Sequence, residues 1–192
     1  MAVANLIKKL ALFFLRDYSI YHIYRQKCES AIDAPGIEFR FEPVEEDLIV
    51  GSQDELIVQQ AWYCGEYSHA YACMDDSRIV GLCFFWHGKR YSERNFWPLE
   101  QKEAKLVQLI VLPEMRGLGI ATRLIEHSTR DMSRLGFRYL YARIWWSNKP
   151  SLHAFERAGW RRIATVIDIF FPYRAKPFRL KLKRMTSANR VS

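Results

Sequence analysis

The residues of this sequence with the clearest potential for chemistry form a short loop, Arg116-Gly117-Leu118-Gly119-Ile120-Ala121. The loop follows an apolar stretch, Leu109-Ile110-Val111-Leu112, and precedes a segment whose apolar residues recur at helical spacing. Glycine permits a tight turn and leaves backbone N–H groups uncovered, and the start of a helix offers further unpaired N–H groups and the positive end of its dipole. The pattern therefore predicts an anion site built from backbone, with the hydroxyl of Thr122 as an additional donor.

A second block of residues could complete a binding site. It begins with Asn148-Lys149-Pro150-Ser151 and runs to Ala158-Gly159-Trp160. Proline suits the first turn of a helix and glycine its end, so the block predicts a short helix over residues 150–158. Asn148 and Ser151 then form the N-terminal cap and the first turn of this helix. The loop has neither the Walker nor the dinucleotide-binding glycine spacing, yet the two blocks together indicate a cofactor that carries a pyrophosphate.

The segments around the two blocks predict an α/β fold. An apolar strand, buried on both faces, is expected over residues 104–112, an amphipathic helix over 120–135 and a strand over 137–144. This order requires two parallel strands in one sheet. The other predicted elements are strands at 37–42, 69–74, 78–86, 162–171 and 178–184 and a helix at 53–63. In the last strand Phe178, Leu180 and Leu182 are expected to point inward.

Residues 1–36 are predicted to form an amphipathic helical extension, followed by one domain over 37–185 and a tail at 186–192. The apolar residues of the extension at helical spacing are Leu6, Ile7, Leu10, Phe13 and Phe14. Their run is too short to cross a bilayer. Two interpretations stay open: the helix docks on the domain, which is the commoner arrangement, or residues 6–16 contact a membrane surface.

The charge of the chain favours an anionic partner. Its formal net charge is +8 and its pI is about 9.4. No zinc-finger spacing, RNA-recognition signature or long lysine run supports nucleic acid as that partner. Four cysteines without paired spacing, and no secretory leader, predict reduced thiols and a cytoplasmic location. The histidines form no cluster of metal-ligand spacing, so no metal is predicted, and nothing specifies an oligomeric state.

The two blocks, in this order, resemble the motifs of the GNAT superfamily of acyl-CoA-dependent N-acyltransferases. The family's loop pattern, Gln/Arg-x-x-Gly-x-Gly/Ala, is matched by Arg116, Gly119 and Ala121. Its Asn-x-x-Ala/Ser motif corresponds to Asn148 and Ser151. Its tyrosine corresponds to Phe155, and its Gly-Phe motif to Ala158-Gly159-Trp160. The resemblance covers roughly residues 37–171. It implies a mixed α/β fold with a central twisted sheet, in which two parallel strands splay apart, flanked by helices.

The resemblance also implies a cofactor, acetyl-CoA or another acyl-CoA. The amides of residues 117–122 would hold its pyrophosphate, the exposed backbone of Leu109–Val111 would pair with its pantetheine amides, and residues 141–144 would form the opposite wall. The implied cofactor-binding residues are Leu109, Ile110, Val111, Arg116, Gly117, Leu118, Gly119, Ile120, Ala121, Thr122, Asn148, Ser151 and Phe155.

The implied reaction is direct transfer of an acetyl or other acyl group to a primary amine of a small molecule or peptide. Glu103 stands nearest the glutamate that some family members use as general base, with Glu100 next. The family's usual tyrosine acid falls on Phe155, which has no proton to give. The thiolate of coenzyme A would then be protonated by Tyr141, Tyr173 or a water, or it would leave without the help of an acid. The alternative function is a noncatalytic acyl-CoA sensor or a membrane-associated interaction protein.

Overall fold

A computed structural model describes residues 17–28 and 39–183, in which eight strands form one sheet with the order β2-β3-β4-β5-β6-β1-β7-β8. The strands are β1 (Asp17–Lys27), β2 (Arg40–Pro43), β3 (Ser68–Asp75), β4 (Arg78–Trp86), β5 (Glu103–Val111), β6 (Tyr139–Trp145), β7 (Arg161–Phe170) and β8 (Phe178–Lys183). The helices are α1 (Glu46–Val50), α2 (Glu55–Val58), α3 (Gly88–Tyr91), α4 (Ile120–Arg134) and α5 (Lys149–Arg157). Short 3-10 turns cover Ala61–Tyr63, Ser92–Arg94 and Pro113–Met115.

The predicted unit of strand, helix and strand is confirmed. β5 and β6 pair in parallel, and α4 connects them. The helix buries Leu124, Ile125 and Met132, which lie on one side at helical spacing. It ends before Gly136, whose φ of 87° lies in the left-handed region that favours glycine. The predicted hairpin is also present as β3 and β4, so the central part of the sheet follows the sequence pattern.

Two layers cover this sheet. On the side that we call the helix face, α4 and α5 pack with Leu106 and Phe155 in one apolar cluster. On the opposite face, Trp86, Tyr91 and Tyr141 belong to a second cluster, which includes α3 and the segment after it. A third cluster joins α1 and α2 to β3 and β4. The sheet is thus buried on both sides around β4, β5 and β6.

The predicted helical extension over residues 1–36 is wrong where the structure describes it, because Asp17–Lys27 forms β1. This strand lies between β6 and β7, and Tyr21, Ile23 and Tyr24 are almost completely buried. Aromatic and β-branched side chains along the segment favour a strand, and pairing with distant residues settles its place. The sheet therefore includes residues before position 37. Residues 1–16, with the apolar run 6–16, and residues 29–38 and 184–192 lie outside the described residues.

Three smaller expectations need correction. The predicted helix at 53–63 is divided into α2, which begins after Asp54, and the turn Ala61–Tyr63. The strand predicted over 104–112 is not buried along its whole length, because Val107–Ile110 is half-buried. Along β8, the apolar side chains are not buried as expected but are 42 to 50% exposed. β8 is the edge strand of the sheet, so it has one neighbour rather than two.

No helix within residues 17–28 and 39–183 has the length and apolar content needed to cross a membrane.

Candidate functional site

The parallel strands β5 and β6 separate part of the way along their length. They pair from Glu103 beside Tyr139 to Leu106 beside Ala142 and not beyond, whereas β6 pairs with β1 on its other side along its whole length. Val107 is an extra residue in the register between β4 and β5, which is the arrangement of a β-bulge. Because a bulge bends its strand, it accounts for the divergence of β5 from β6. The splayed strands implied by the resemblance are therefore present.

The gap between the splayed strands contains a cavity of about 240 Å³, which we call the strand cavity. Its walls come from β5, β6 and the start of α5. The lining residues are Phe96, Leu106, Val107, Gln108, Leu109, Ala142, Arg143, Ile144, Trp145, Asn148, Ser151 and Phe155. The cavity thus brings Leu109 together with Asn148, Ser151 and Phe155, which were predicted from two separate blocks. Their role as ligand contacts stays a prediction.

The glycine loop and the start of α4 enclose a second cavity, of about 410 Å³, which we call the loop cavity. Gly117 and Gly119 have φ values of 86° and 78°, and a Cβ added to either would meet nothing within 4 Å. Gly119 is also the N-cap of α4, so no side chain covers the first amides of the helix. The loop therefore combines a backbone that requires glycine with open space in front of unpaired N–H groups.

The charged groups around the loop cavity are basic. Arg116 lines it, as does Arg157 of α5 on the other side, next to His153. Nε of Arg116 donates a hydrogen bond of 3.2 Å to the carbonyl of Val111, which ties the loop to the end of β5. Leu118 is 57% exposed and is not among the lining residues. Backbone N–H groups, a helix N-terminus and two guanidinium groups make this cavity suited to phosphate.

The helix α5 borders both cavities. Its residues Pro150 and Ala154 line the loop cavity, whereas Ser151 and Phe155 line the strand cavity. Asn148 caps the helix, since its side-chain oxygen accepts a hydrogen bond of 3.2 Å from the N–H of Ser151. The capping interpretation of Asn148 is thus observed, and it is compatible with a contact to a ligand that extends from one cavity to the other.

The cap gives a first testable prediction. We expect Asn148→Ala to lower the free energy of unfolding by about 1 kcal/mol, because an orphan N–H at the start of α5 loses its acceptor. Asn148→Asp keeps an acceptor oxygen at this position and serves as the control. Urea unfolding of both variants measures the effect. Equal stability of the alanine and aspartate variants would contradict the capping role.

Phe155, which the resemblance places at the family's tyrosine position, is a core residue here. It is 3% exposed, and its ring lies edge-on to Trp160 with the two ring centroids 5.0 Å apart. The ring also contacts Tyr24 of β1 at 6.3 Å between centroids. Phe155 thus forms an apolar wall of the strand cavity and offers no proton to a group bound there.

Glu103 and Tyr141 form a buried pair. The carboxylate of Glu103 accepts a hydrogen bond of 3.1 Å from the hydroxyl of Tyr141 and another of 2.9 Å from the N–H of Glu100. Burial raises the pKa of Tyr141 to about 12, with the adjoining carboxylate as the next cause. Both residues lie in the paired part of β5 and β6, on the opposite face. The structure brings these two candidates together, whereas Tyr173 is 96% exposed between β7 and β8.

Glu103 is not among the residues that line the strand cavity. It borders a separate cavity of about 620 Å³ with Glu100, His87 and Tyr91, at the beginning of β5. The split between the strands begins only after Leu106, three residues further along β5. Any proton transfer between Glu103 and a group in the strand cavity would therefore need an intervening group.

Lys105 was not identified from the sequence, although it lies next to this region. It is completely buried, its Nζ lies 3.7 and 3.9 Å from the ring centroids of Tyr91 and Phe96, and it donates to the carbonyl of Trp97. Burial, together with the nearby guanidinium of Arg143, lowers the pKa of Lys105 to about 6. The sequence did contain a signal that could have identified Lys105. It is a lysine within an otherwise apolar run, which is unusual because lysine is rarely buried in full.

Gln108 and Arg143 were also missed. The side-chain amide of Gln108 donates a hydrogen bond of 2.7 Å to Gln60, and both Gln108 and Arg143 line the strand cavity. A polar residue inside an apolar strand, such as Gln108, is a signal that sequence analysis could have used. Within residues 17–28 and 39–183, no group of three His, Cys, Asp or Glu side chains is placed to hold a metal ion.

Known proteins share this architecture. Residues 34–160 match the model of the Acetyltransferase (GNAT) family. A GNAT-family acetyltransferase from Colwellia psychrerythraea is 13% identical over 86% of this chain and 61% of its own, with a TM-score of 0.58. GCN5-related N-acetyltransferases from Sphaerobacter thermophilus and Kribbella flavida are 12% and 10% identical over 94% and 88% of this chain, with TM-scores of 0.57 and 0.54.

These likenesses concern the fold, since the identities are low. The chain spans 57 to 65% of the length of the three solved structures. No curated protein matches the sequence.

Proposed function

Because the chain belongs to the GNAT acetyltransferase family, we propose that it transfers an acyl group, acetyl in the simplest case, from acyl-CoA to a primary amine. The observation that carries this proposal is the pair of cavities beside α5. One offers uncovered N–H groups and basic side chains, and the other opens between two splayed strands. A phosphate-bearing ligand with a long flexible arm matches this arrangement, and acyl-CoA is such a ligand.

In this proposal the loop 117–122 holds the pyrophosphate through backbone N–H groups, with Arg116 and Arg157 adding positive charge. The stretch of β5 from Val107 to Val111 has no partner in β6, so its backbone is available on that side. The pantetheine amides would pair with it as an additional strand. Asn148, Ser151 and Phe155 would then border the arm and the thioester in the strand cavity.

The chemistry requires a neutral amine at the thioester carbonyl. The amine nitrogen forms the new C–N bond, the C–S bond breaks, and one proton leaves the amine while the thiolate gains one. We assign the base role to Glu103 and the acid role to Tyr141, which stays protonated at neutral pH because its pKa is about 12. A water between this pair and the strand cavity would connect them to the reacting atoms.

The base assignment predicts that Glu103→Gln lowers kcat by about a hundredfold, since general bases contribute about 10² to 10⁴. Binding of acetyl-CoA should stay unchanged, because Glu103 lines neither the strand cavity nor the loop cavity. Glu93→Gln is the control, as it removes an exposed carboxylate in the segment before β5. Steady-state rates with a saturating amine measure the effect. A parental kcat for Glu103→Gln would remove Glu103 from the mechanism.

One observation favours the noncatalytic alternative: Phe155 gives the strand cavity an apolar wall where the family's tyrosine would donate a proton. Release of free thiol from acetyl-CoA, measured with a broad panel of primary amines, separates the two functions. Acyl transfer predicts thiol release that depends on the amine. Tight binding of acetyl-CoA without thiol release from any amine would favour the sensor.

We also propose a cytoplasmic location, supported by four cysteines that are free thiols in the structure. Contact of residues 6–16 with a membrane surface stays a proposal. Flotation with anionic liposomes that is unchanged after deletion of residues 1–16 would remove that contact.

A further inference from the structure

Arg143 projects from the sheet toward the opposite face, away from the loop cavity. Its neighbours in β6, Ala142 and Ile144, belong to the cluster under the helix face, whereas Tyr141 belongs to the cluster of the opposite face. Side chains alternate along a strand, so Arg143 shares the face of Tyr141. A second substrate that approaches the strand cavity from this face would therefore meet Arg143.

Aromatic rings surround the guanidinium of Arg143. Its Cζ lies 4.9 Å from the ring centroid of Phe96, 5.3 Å from that of Tyr21 and 5.6 Å from that of Trp145. Phe96 and Trp145 also line the strand cavity, so one cavity offers a cation and two apolar surfaces side by side. Arg143 is itself an exposed residue, so an incoming anion can reach its guanidinium.

The charges near this part of the strand cavity are mainly positive. Among the described residues that line it, Arg143 is the charged one, and none is a carboxylate. The nearby carboxylate of Asp168 already accepts two hydrogen bonds from Arg179, at 2.6 and 2.7 Å, and one from Tyr21 at 3.4 Å. Lys181 lies 5.6 Å from the ring centroid of Trp97 on the same side. An amine with several positive charges would be repelled here.

We infer that the acceptor is an amine that also carries a carboxylate, as an amino acid with an apolar or aromatic side chain does. The carboxylate binds Arg143, and the apolar group packs against Phe96 and Trp145. This inference rests on the proposed acyl transfer and names the substrate class of the same site. A guanidinium and a carboxylate can form two parallel hydrogen bonds, which would orient the amine as well as bind the molecule.

The test compares matched amines with the full-length protein and acetyl-CoA. Phenylalanine, phenylalaninamide and phenethylamine share one aromatic group and differ at the carboxylate, and spermidine represents a polycation. We expect kcat/KM for phenylalanine to exceed that for each of the others by roughly tenfold or more. An equal or higher kcat/KM for phenylalaninamide, phenethylamine or spermidine would overturn the inference.

Variants of Arg143 test the same contact from the side of the protein. We expect Arg143→Gln to raise KM for phenylalanine by roughly tenfold or more, with little change for phenethylamine, and Arg143→Lys to restore part of the loss. Arg138→Gln, which removes an exposed arginine just before β6, is the control. Urea unfolding of each variant reports whether it is folded. Equal increases in KM for phenylalanine and phenethylamine would overturn the proposed contact between Arg143 and the carboxylate.

The two proposals fail in different ways. If no amine in the panel releases thiol from acetyl-CoA, the proposed acyl transfer fails. If amines react but the carboxylate makes no difference, acyl transfer stands and the inference about the acceptor fails.

Discussion

The Gly119→Leu variant is expected to lose at least about a hundredfold in affinity for acetyl-CoA. A side chain at this position would extend into the loop cavity, where a Cβ now meets nothing within 4 Å, and would cover the first N–H groups of α4. Two or three charge-assisted hydrogen bonds to phosphate would be lost, each worth about 1.5 to 3 kcal/mol. Isothermal titration calorimetry measures the change.

Gly136→Leu is the matched control for this variant. Gly136 ends the same helix, has a φ of 87°, and a Cβ there also meets nothing within 4 Å. Both substitutions therefore carry a similar conformational cost of about 1 to 2 kcal/mol, but only Gly119 lies at the loop cavity. If both folded variants bind acetyl-CoA equally well, the loop does not hold the cofactor.

Lys105 should make the stability of the protein depend on pH. The pKa of Lys105 is about 6 in the folded protein, whereas the ordinary value for lysine is 10.5. At pH values between these two, the unfolded chain therefore binds more protons than the folded protein. The free energy of unfolding therefore rises with pH in this window, by up to about 1.4 kcal/mol per pH unit from this group. The rings of Tyr91 and Phe96 favour the charged ammonium, but the complete burial of Lys105 disfavours it more strongly.

Replacing Lys105 with methionine removes this dependence. We expect Lys105→Met to be more stable than the parent by about 1 to 3 kcal/mol at pH 7. This figure includes the loss of the hydrogen bond from Lys105 to the carbonyl of Trp97. The advantage should shrink as the pH is raised to 9. Lys89→Met, at an exposed lysine in α3, is the control. Urea unfolding at several pH values measures the difference, and a difference that is independent of pH would contradict the account of Lys105.

Sequence analysis predicted the parts of the fold that depend on local patterns. The loop at Gly117 and Gly119 and the helix α4 follow from turn-forming residues and helical spacing, which neighbouring residues determine. The two cavities beside α5 could be anticipated from the resemblance, because the family's motifs occur in this chain in the expected order. The general location of the candidate cofactor site was therefore predictable.

The remaining features depend on residues far apart in the sequence. β1 takes its place between β6 and β7 through pairing with residues more than a hundred positions away, and its apolar content alone did not separate strand from helix. The bulge at Val107 arises from the register between β4 and β5, which no local pattern specifies. Lys105 is buried because Tyr91, Phe96 and Trp97 come from another segment and enclose it.

The central claim is that the loop cavity and the strand cavity together hold acyl-CoA. Calorimetric titration of acetyl-CoA into the unmodified 192-residue protein tests it most directly. The account predicts saturable binding at a single site per chain, for which free coenzyme A competes because the two ligands share the phosphates and the pantetheine arm. Absence of binding by coenzyme A and by every acyl-CoA tested would contradict the claim.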